Sequence, residues 1–258
     1  MVRNRVGIVF SVVITALLVL LVACDGQDEE EGVLSAATAT SAATAAAPSV
    51  DREEAAPSAE EARDKLERAT LLIDDLGSGY AVLSDEYADN AEASAAQADP
   101  AVALTFLEGA GRVLGRTVAY IAEDTTQAAL AGQSVSFFSN VNVFQDATGA
   151  AQYYAVSTQM IAEGAGVGAQ LGDLFVDPAD VQVAPVAFSA IGDGSQAYSL
   201  TGQTEAQGQL YPVTALLAVI QRGPVTAFVG SVRVAMPPDV QEIESLARLL
   251  VDRIDSEF

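Results

Sequence analysis

Carboxylates supply most of the reactive side chains of this 258-residue chain, which has 35 Asp and Glu residues against 12 Lys and Arg. It contains no His and a single Cys. Without imidazole the chain cannot build a Ser-His-Asp or Cys-His nucleophile, nor a zinc site with His ligands. The acidic clusters do not follow the order of a calcium loop, and no carboxylate pair stands in a catalytic motif. We therefore predict a protein that is not an enzyme and holds no metal or cofactor.

Cations are scarce, and their positions are therefore informative. A formal net charge of −23 argues against nucleic acid as a partner, because phosphate contacts need clustered Lys and Arg. Four arginines fall on predicted strands or hairpin ends and could together hold an anion, unless each pairs with one of the surplus carboxylates. Two tyrosines could line a pocket or pack in the core. The six ligand-binding candidates are Arg112, Arg116, Arg222, Arg233, Tyr153 and Tyr154.

The beginning of the chain has the layout of an export signal. Arg3 and Arg5 precede Val6–Ala23, a run of 18 residues without charge, and Cys24 follows at once. One interpretation is a signal peptide over residues 1–23, and the alternative is an uncleaved transmembrane anchor of minimal length. The positive-inside bias exports everything after Cys24 in both cases.

Leu21, Ala23 and Cys24 resemble the bacterial lipobox. This resemblance implies that Cys24 receives diacylglycerol and becomes the N-terminus after cleavage. It also implies a lipoprotein whose fatty acyl chains, such as palmitate, hold it in the cell membrane at the extracytoplasmic face. Two or more acyl chains give stable anchoring where one does not.

A linker is expected between the lipid and the folded domain. Residues 24–57 contain an acidic stretch followed by Ala, Thr and Ser repeats, which cannot bury a large apolar surface and predict a disordered tether. A flexible coil of this length spans about 30 Å. Once residues 1–23 are removed, 10 basic and 35 acidic residues remain, so the surface favours cationic partners.

A single domain is predicted over residues 58–258. Ser58 and Glu61 form a capping box that starts a helix, and Asp239 starts a final amphipathic helix. Between them, hydrophobic alternation predicts strands, and one further helix follows Asp146. The segments expected to be extended are Tyr80–Leu83, Val102–Leu107, Arg112–Ala122, Ser134–Phe144, Val181–Ile191, Gln196–Thr201, Leu210–Ile220 and Val225–Val234. This order favours an α+β fold with a mostly antiparallel sheet covered by helices, similar to an α/β/α sandwich.

Four segments of the domain are similar to the exported sensor-type domains of bacterial lipoproteins and receptor Ser/Thr kinases, with Mog1/PsbP-like relatives. They are Val143–Ala151, Ile191–Ala197, Arg222–Gly223 and Ala247–Ile254. The resemblance implies a cleft and a ligand-binding or sensing role without established catalysis. The kinase-linked members carry cysteine pairs that this chain lacks, so it implies no ligand residues.

These observations predict a lipid-anchored extracytoplasmic domain that binds or senses a ligand without catalysis. Its partners would be the membrane, through the N-terminal lipid, and a small molecule, lipid or envelope protein. Two alternatives stay open at this point. One is a structural or assembly protein of the envelope that acts through its acidic surface, and the other is a lipid carrier with an apolar cavity.

Overall fold

A computed structural model describes most of the chain after residue 56. The described residues are 57–95, 97–164, 174–177, 180–206 and 208–258. Cys24, Leu21 and Ala23, the expected signal peptide and nearly all of the expected tether lie outside them. None of the helices that the structure describes has the length and apolar character needed to cross a bilayer.

The described part of the chain forms one antiparallel sheet of seven strands. The strands are β1 (Tyr80–Ala88), β2 (Arg112–Ala122), β3 (Ser136–Phe144), β4 (Gln182–Val186), β5 (Gly194–Ala206), β6 (Gln209–Arg222) and β7 (Val225–Val234). They lie in the order β1-β2-β3-β7-β6-β5-β4. Strands that follow one another in the sequence pair with each other, except β3 and β4. Instead β3 lies beside β7, and this pairing joins the first three strands to the last four.

Helices cover both faces of this sheet. They are α1 (Ala59–Ala69), α2 (Asn90–Ala95), α3 (Pro100–Gly109), α4 (Thr125–Leu130), α5 (Ala147–Ala162) and α6 (Val240–Glu257), with a short 3₁₀ helix at Ile73–Leu76. The capping box at Ser58 is present, since Glu61 N donates to Ser58 Oγ and Ser58 N donates to Glu61 Oε2. Aspartates cap α3, α4, α5 and α6 with a single hydrogen bond each, because the Asp carboxylate accepts from a backbone N–H of the first turn.

Side-chain alternation along the strands produces two cores. On β7, Ala227 and Val229 pack under α1 and α6, whereas Phe228 and Val232 face the opposite way. The second core lies under α2, α3, α4 and α5 and contains most of the buried aromatic rings. We call these sides of the sheet the α1/α6 face and the α5 face. The arrangement is an α/β/α sandwich, which confirms the α+β class.

One predicted strand is wrong. Val102–Leu107 belongs to helix α3, whose N-cap Asp99 accepts a hydrogen bond from Val102 N and whose first residue is Pro100. These two residues favour a helix start, and Pro is tolerated at that position because its missing N–H would be unpaired anyway. The strand prediction failed because α3 is apolar on its exposed side too, so the helical periodicity is weak: Val102 is 40% exposed.

Candidate functional site

Arg116 is engaged in structural contacts on the α1/α6 face. Its guanidinium forms a two-pronged pair with Asp85, with Nε–Oδ1 and Nη2–Oδ2 distances of 2.9 and 2.8 Å. Nη1 donates to Thr70 Oγ1 at 2.6 Å and to the Glu67 carbonyl at 2.9 Å. Arg116 therefore ties the end of α1 to β1 and β2, and no ligand is needed to satisfy its charge.

Arg222 and Arg233 also have carboxylate partners. Arg222 lies between Asp193 and Asp255, at 2.9 and 2.6 Å, and these hydrogen bonds raise the pKa of its guanidinium. Arg233 Nη2 lies 3.2 Å from Asp239, near the start of α6. For these two arginines the structure shows the ion pairing that the sequence left open.

The structure does not bring the four arginines together. Arg222 pairs with Val225 at one end of β6 and β7, whereas Arg233 pairs with Thr214 toward the other end. Arg112 and Arg116 lie on opposite faces of the sheet. An anion site shared by all four is therefore absent from the described structure.

Arg112 differs from the other three because it has no ion pair with any described carboxylate. Only 6% of the residue is exposed, on the α5 face. Its Nε donates to Asn142 Oδ1 at 2.9 Å and its Nη1 donates to Asn90 Oδ1 at 3.0 Å. Burial lowers the pKa of the guanidinium, while interactions with Tyr153 and Asp89 oppose that shift. An arginine nevertheless stays protonated in a protein, so a positive charge is buried here among neutral amides.

A glycine makes room for this guanidinium. A Cβ at Gly115 would lie 2.2 Å from Arg112 Nη2 and 2.5 Å from Asn142 Oδ1, both far inside contact distance. The guanidinium thus rests on the bare backbone of β2. From Asn142 the hydrogen bonds continue along the sheet, because Asn142 Nδ2 donates to Asn140 Oδ1 and Asn140 Nδ2 donates to Thr117 Oγ1 at 3.2 Å.

Two buried hydroxyls next to this network have no hydrogen-bond partner of normal geometry: Thr226 Oγ1 and Ser157 Oγ. Thr226 is directly opposite Asn142 in the β3–β7 pairing and shares the α5 face with Phe228. Ser157 lies one helical turn after Tyr153 on α5. Burial raises the pKa of the Tyr153 phenol, and the Arg112 charge and the Ser157 hydroxyl both interact with the phenol and oppose the shift.

These polar side chains form one buried group between α2, α5 and the strands, which we name the Arg112 cluster. Its members are Asn90, Arg112, Asn140, Asn142, Tyr153, Ser157 and Thr226. Aromatic rings enclose it, since the Tyr153 ring centroid lies 5.1 Å from that of Phe144 and 6.2 Å from that of Phe228. The cluster offers a cation, amide groups and free hydroxyls, which suits binding of an electron-rich group and supplies no nucleophile with a general base.

Of the six predicted candidates, the structure unites two, Arg112 and Tyr153. Tyr154 points away from the cluster toward β5, where its ring lies about 3.2 Å from the position of a Cβ on Gly194. Sequence reasoning missed the amides and hydroxyls. The signal for the amides was present in Asn140-Val141-Asn142, where polar residues alternate with an apolar one inside a strand that is buried along its whole length.

The comparisons with known proteins include a weak structural similarity. No family model matches the chain, and no curated protein matches it. Among solved structures, the extracellular domain of PknH from Mycobacterium tuberculosis is similar with a TM-score of 0.42 and 10% identity, covering 75% of this chain and 96% of that chain. At this identity and TM-score the similarity assigns no role to any residue of this chain.

Proposed function

We propose that this protein is a lipoprotein anchored through Cys24 at the extracytoplasmic face of the cell membrane, with a non-catalytic domain that binds or senses a ligand. The sequence supports the anchor: Arg3 and Arg5 precede an apolar run that ends at the only Cys of the chain. The strongly acidic surface is repelled by anionic headgroups, so the acyl chains alone hold the domain at the membrane.

The binding role rests on one observation, the buried charge of Arg112 without a carboxylate partner. An unpaired ion inside a protein costs on the order of several kcal/mol, and the described ion pairs of the other arginines show that carboxylates are available elsewhere in this domain. A residue that carries this cost without a permanent counter-ion is typical of a site that a charged ligand completes. Native mass spectrometry of the purified protein tests this role. A small molecule should co-purify with the wild type and be lost from an Arg112→Gln variant, whereas a wild type without bound ligand would count against it.

The anchor has a separate test. Cells that express the Cys24→Ala variant should incorporate no labelled palmitate into the protein, and the precursor should keep its first 23 residues. A Ser41→Ala variant in the predicted tether serves as the control and should be labelled like the wild type. Fatty acid in the Cys24→Ala protein would contradict the lipobox assignment.

A second candidate function is an assembly role through the acidic surface. It is favoured by charge segregation: positions 69–111 and 117–221 contain neither Lys nor Arg. Helix α3 within the first of these stretches carries an open groove of about 390 Å³ lined by Ala101, Val102, Thr105 and Phe106. A basic amphipathic segment of an envelope protein would suit this groove. Reversing the neighbouring charge with Glu108→Lys should weaken binding of such a partner in a pull-down, while Glu163→Lys at the C-cap of α5 is the control.

A lipid carrier needs an enclosed apolar cavity. The groove on α3 is open to solvent, and apolar side chains fill both faces of the described sheet. The ligand-binding role at Arg112 therefore has better support than transport of an acyl chain.

A further inference from the structure

We propose that the Arg112 cluster is a binding site for one small monovalent anion, of the size of a carboxylate group or a halide ion. The inference rests on the proposed ligand-binding function and names the chemical class of its ligand. It does not depend on the lipid anchor.

Charge balance selects an anion with a single negative charge. The guanidinium is the only cation in the cluster, and the described structure gives it no ion-paired carboxylate. A monoanion would neutralise it, whereas a dianion would leave a net negative charge in a buried place. A cationic ligand would add to the positive charge already present. Sulfate and doubly ionised phosphate are therefore poor ligands for this site.

The hydrogen-bond donors of the cluster that have no acceptor in the protein favour a ligand whose atoms accept hydrogen bonds. Arg112 uses Nε for Asn142 and Nη1 for Asn90, and Nη2 donates to no acceptor among the described residues. The Thr226 hydroxyl lacks a hydrogen-bond partner as well, and the Ser157 hydroxyl interacts only with the Tyr153 phenol. A carboxylate can accept hydrogen bonds from such donors with two oxygens, and a halide accepts them at a single centre.

Asn142 is the common neighbour that brings these donors together. Its side chain accepts from Arg112, and its Cα is paired with that of Thr226 on the adjacent strand. Facing residues on neighbouring antiparallel strands have Cβ atoms about 5 Å apart, so the Thr226 hydroxyl stands beside the amide that holds the guanidinium. The proposed ligand lies beside this amide, with the guanidinium on one side and the Thr226 hydroxyl on the other.

The surroundings limit the size of the ligand. Phe144 and Phe228 are 0% and 5% exposed and flank the Tyr153 ring, which covers the cluster from α5. On the opposite side the guanidinium touches the backbone at Gly115. Because the cluster is closely surrounded on these sides, the ligand that we propose is a group of a few atoms.

Thermal unfolding of the full chain in non-ionic detergent tests this site. Sodium acetate or sodium chloride is titrated at a constant ionic strength that sodium sulfate maintains. Sulfate stabilises folded proteins generally, so each melting temperature is compared with that of Thr226→Val in the same salt mixture. We expect the difference between the wild type and this variant to rise saturably by a few degrees as either monoanion replaces sulfate, because a ligand that binds only the folded state stabilises it. Saturation at lower concentration with acetate would identify a carboxylate ligand, and saturation at lower concentration with chloride a halide.

Two variants and one control assign the effect to the cluster. Thr226→Val removes a hydroxyl that has no protein partner, and Ser157→Ala removes one whose hydrogen bond to the Tyr153 phenol lacks normal geometry, so both ligand-free variants should fold with a stability close to that of the wild type. Each should weaken the anion-dependent shift by about tenfold in concentration, the value of one lost charge-assisted hydrogen bond. Ser139→Ala removes an equally orphaned hydroxyl on the α1/α6 face and should leave the shift unchanged.

Three results would overturn the proposal. The first is a melting temperature that responds to neither monoanion. The second is an anion-dependent shift of the melting temperature that is the same in both hydroxyl variants and the wild type. The third is a stabilisation by sulfate that equals the stabilisation by the monoanions. These results leave the anchor untouched, since palmitate labelling at Cys24 tests it independently. A co-purifying molecule that survives loss of the Arg112 charge would keep a binding function while moving it to another site.

Discussion

Replacement of Gly115 by Ala should strongly destabilise the protein, because the guanidinium of Arg112 occupies the space of the missing side chain. The new Cβ would lie 2.2 Å from Nη2 and 2.5 Å from Asn142 Oδ1. Since carbon contacts are normally about 3.5 Å or longer, the guanidinium must retreat by more than about 1 Å. It has little freedom to do so inside a packed layer.

The expected magnitude follows from the hydrogen bonds that this retreat breaks. Arg112 donates to Asn142 at 2.9 Å and to Asn90 at 3.0 Å. A hydrogen bond to a charged group contributes about 1.5–3 kcal/mol, so loss of both lowers the free energy of unfolding by about 3–6 kcal/mol. For a domain of this size the melting temperature should fall by roughly 6–24 °C.

Urea unfolding followed by far-UV circular dichroism measures the effect, since the chain has no Trp for fluorescence. Gly109→Ala is the matched control, because nothing lies within 4 Å of a Cβ at that position and Gly109 is the last residue of α3. That variant should be neutral or slightly more stable. If Gly115→Ala unfolds at the same urea concentration as Gly109→Ala, the guanidinium does not rest on Gly115 and the described cluster is wrong.

Three further predictions concern the surrounding fold. Burial raises the pKa of Tyr120 to about 12. Because the folded state holds the phenol proton more tightly than the unfolded state does, the free energy of unfolding should fall as the pH rises from about 10 toward 12. The urea midpoint of Tyr120→Phe should therefore decline less over this pH range than that of the wild type. Asp146→Ala removes the cap that accepts from Gly149 N at 2.8 Å and should cost about 1 kcal/mol in urea unfolding, whereas Asp146→Ser should retain most of the stability. Arg253→Met leaves the Asp75 carboxylate, which is 10% exposed, without its cation and should lower the free energy of unfolding by about 3 kcal/mol. Arg248→Met breaks an exposed ion pair and should be nearly neutral, so it serves as the control. Equal urea midpoints for the two variants would refute this prediction.

Local signals in the sequence were sufficient for most of the fold. The capping box at Ser58, the Asp146 cap and the stripe on α6 each mark a helix, and the last hairpin follows from two apolar runs with a short polar turn between them. The helical state of α3 was not predicted, because its apolar residues extend onto its exposed side and weaken the helical periodicity. Its start signal, Asp99 before Pro100, was available and was outweighed by composition.

The site could be predicted only in part, and a local irregularity explains the limit. Arg112 and Arg116 are four residues apart, so a regular strand would place both on one face. The pairing of β2 with β3 shifts register between Arg112 and Leu114. This bulge turns Arg112 to the α5 face, away from Arg116 and Asp85 and toward Asn142. The residue types around this position do not predict a bulge. The sequence alone therefore could not distinguish Arg112, which has no described ion pair, from the three arginines that pair with carboxylates.

Anomalous diffraction from crystals grown with sodium bromide can show whether the Arg112 cluster holds an anion, because bromide is a monovalent anion whose position the anomalous signal reveals. We expect one buried bromide in contact with Arg112 Nη2 and the Thr226 hydroxyl, and this bromide should be absent from Thr226→Val crystals. Bromide found only at exposed arginines such as Arg222, with the Arg112 cluster closed and empty, would contradict it.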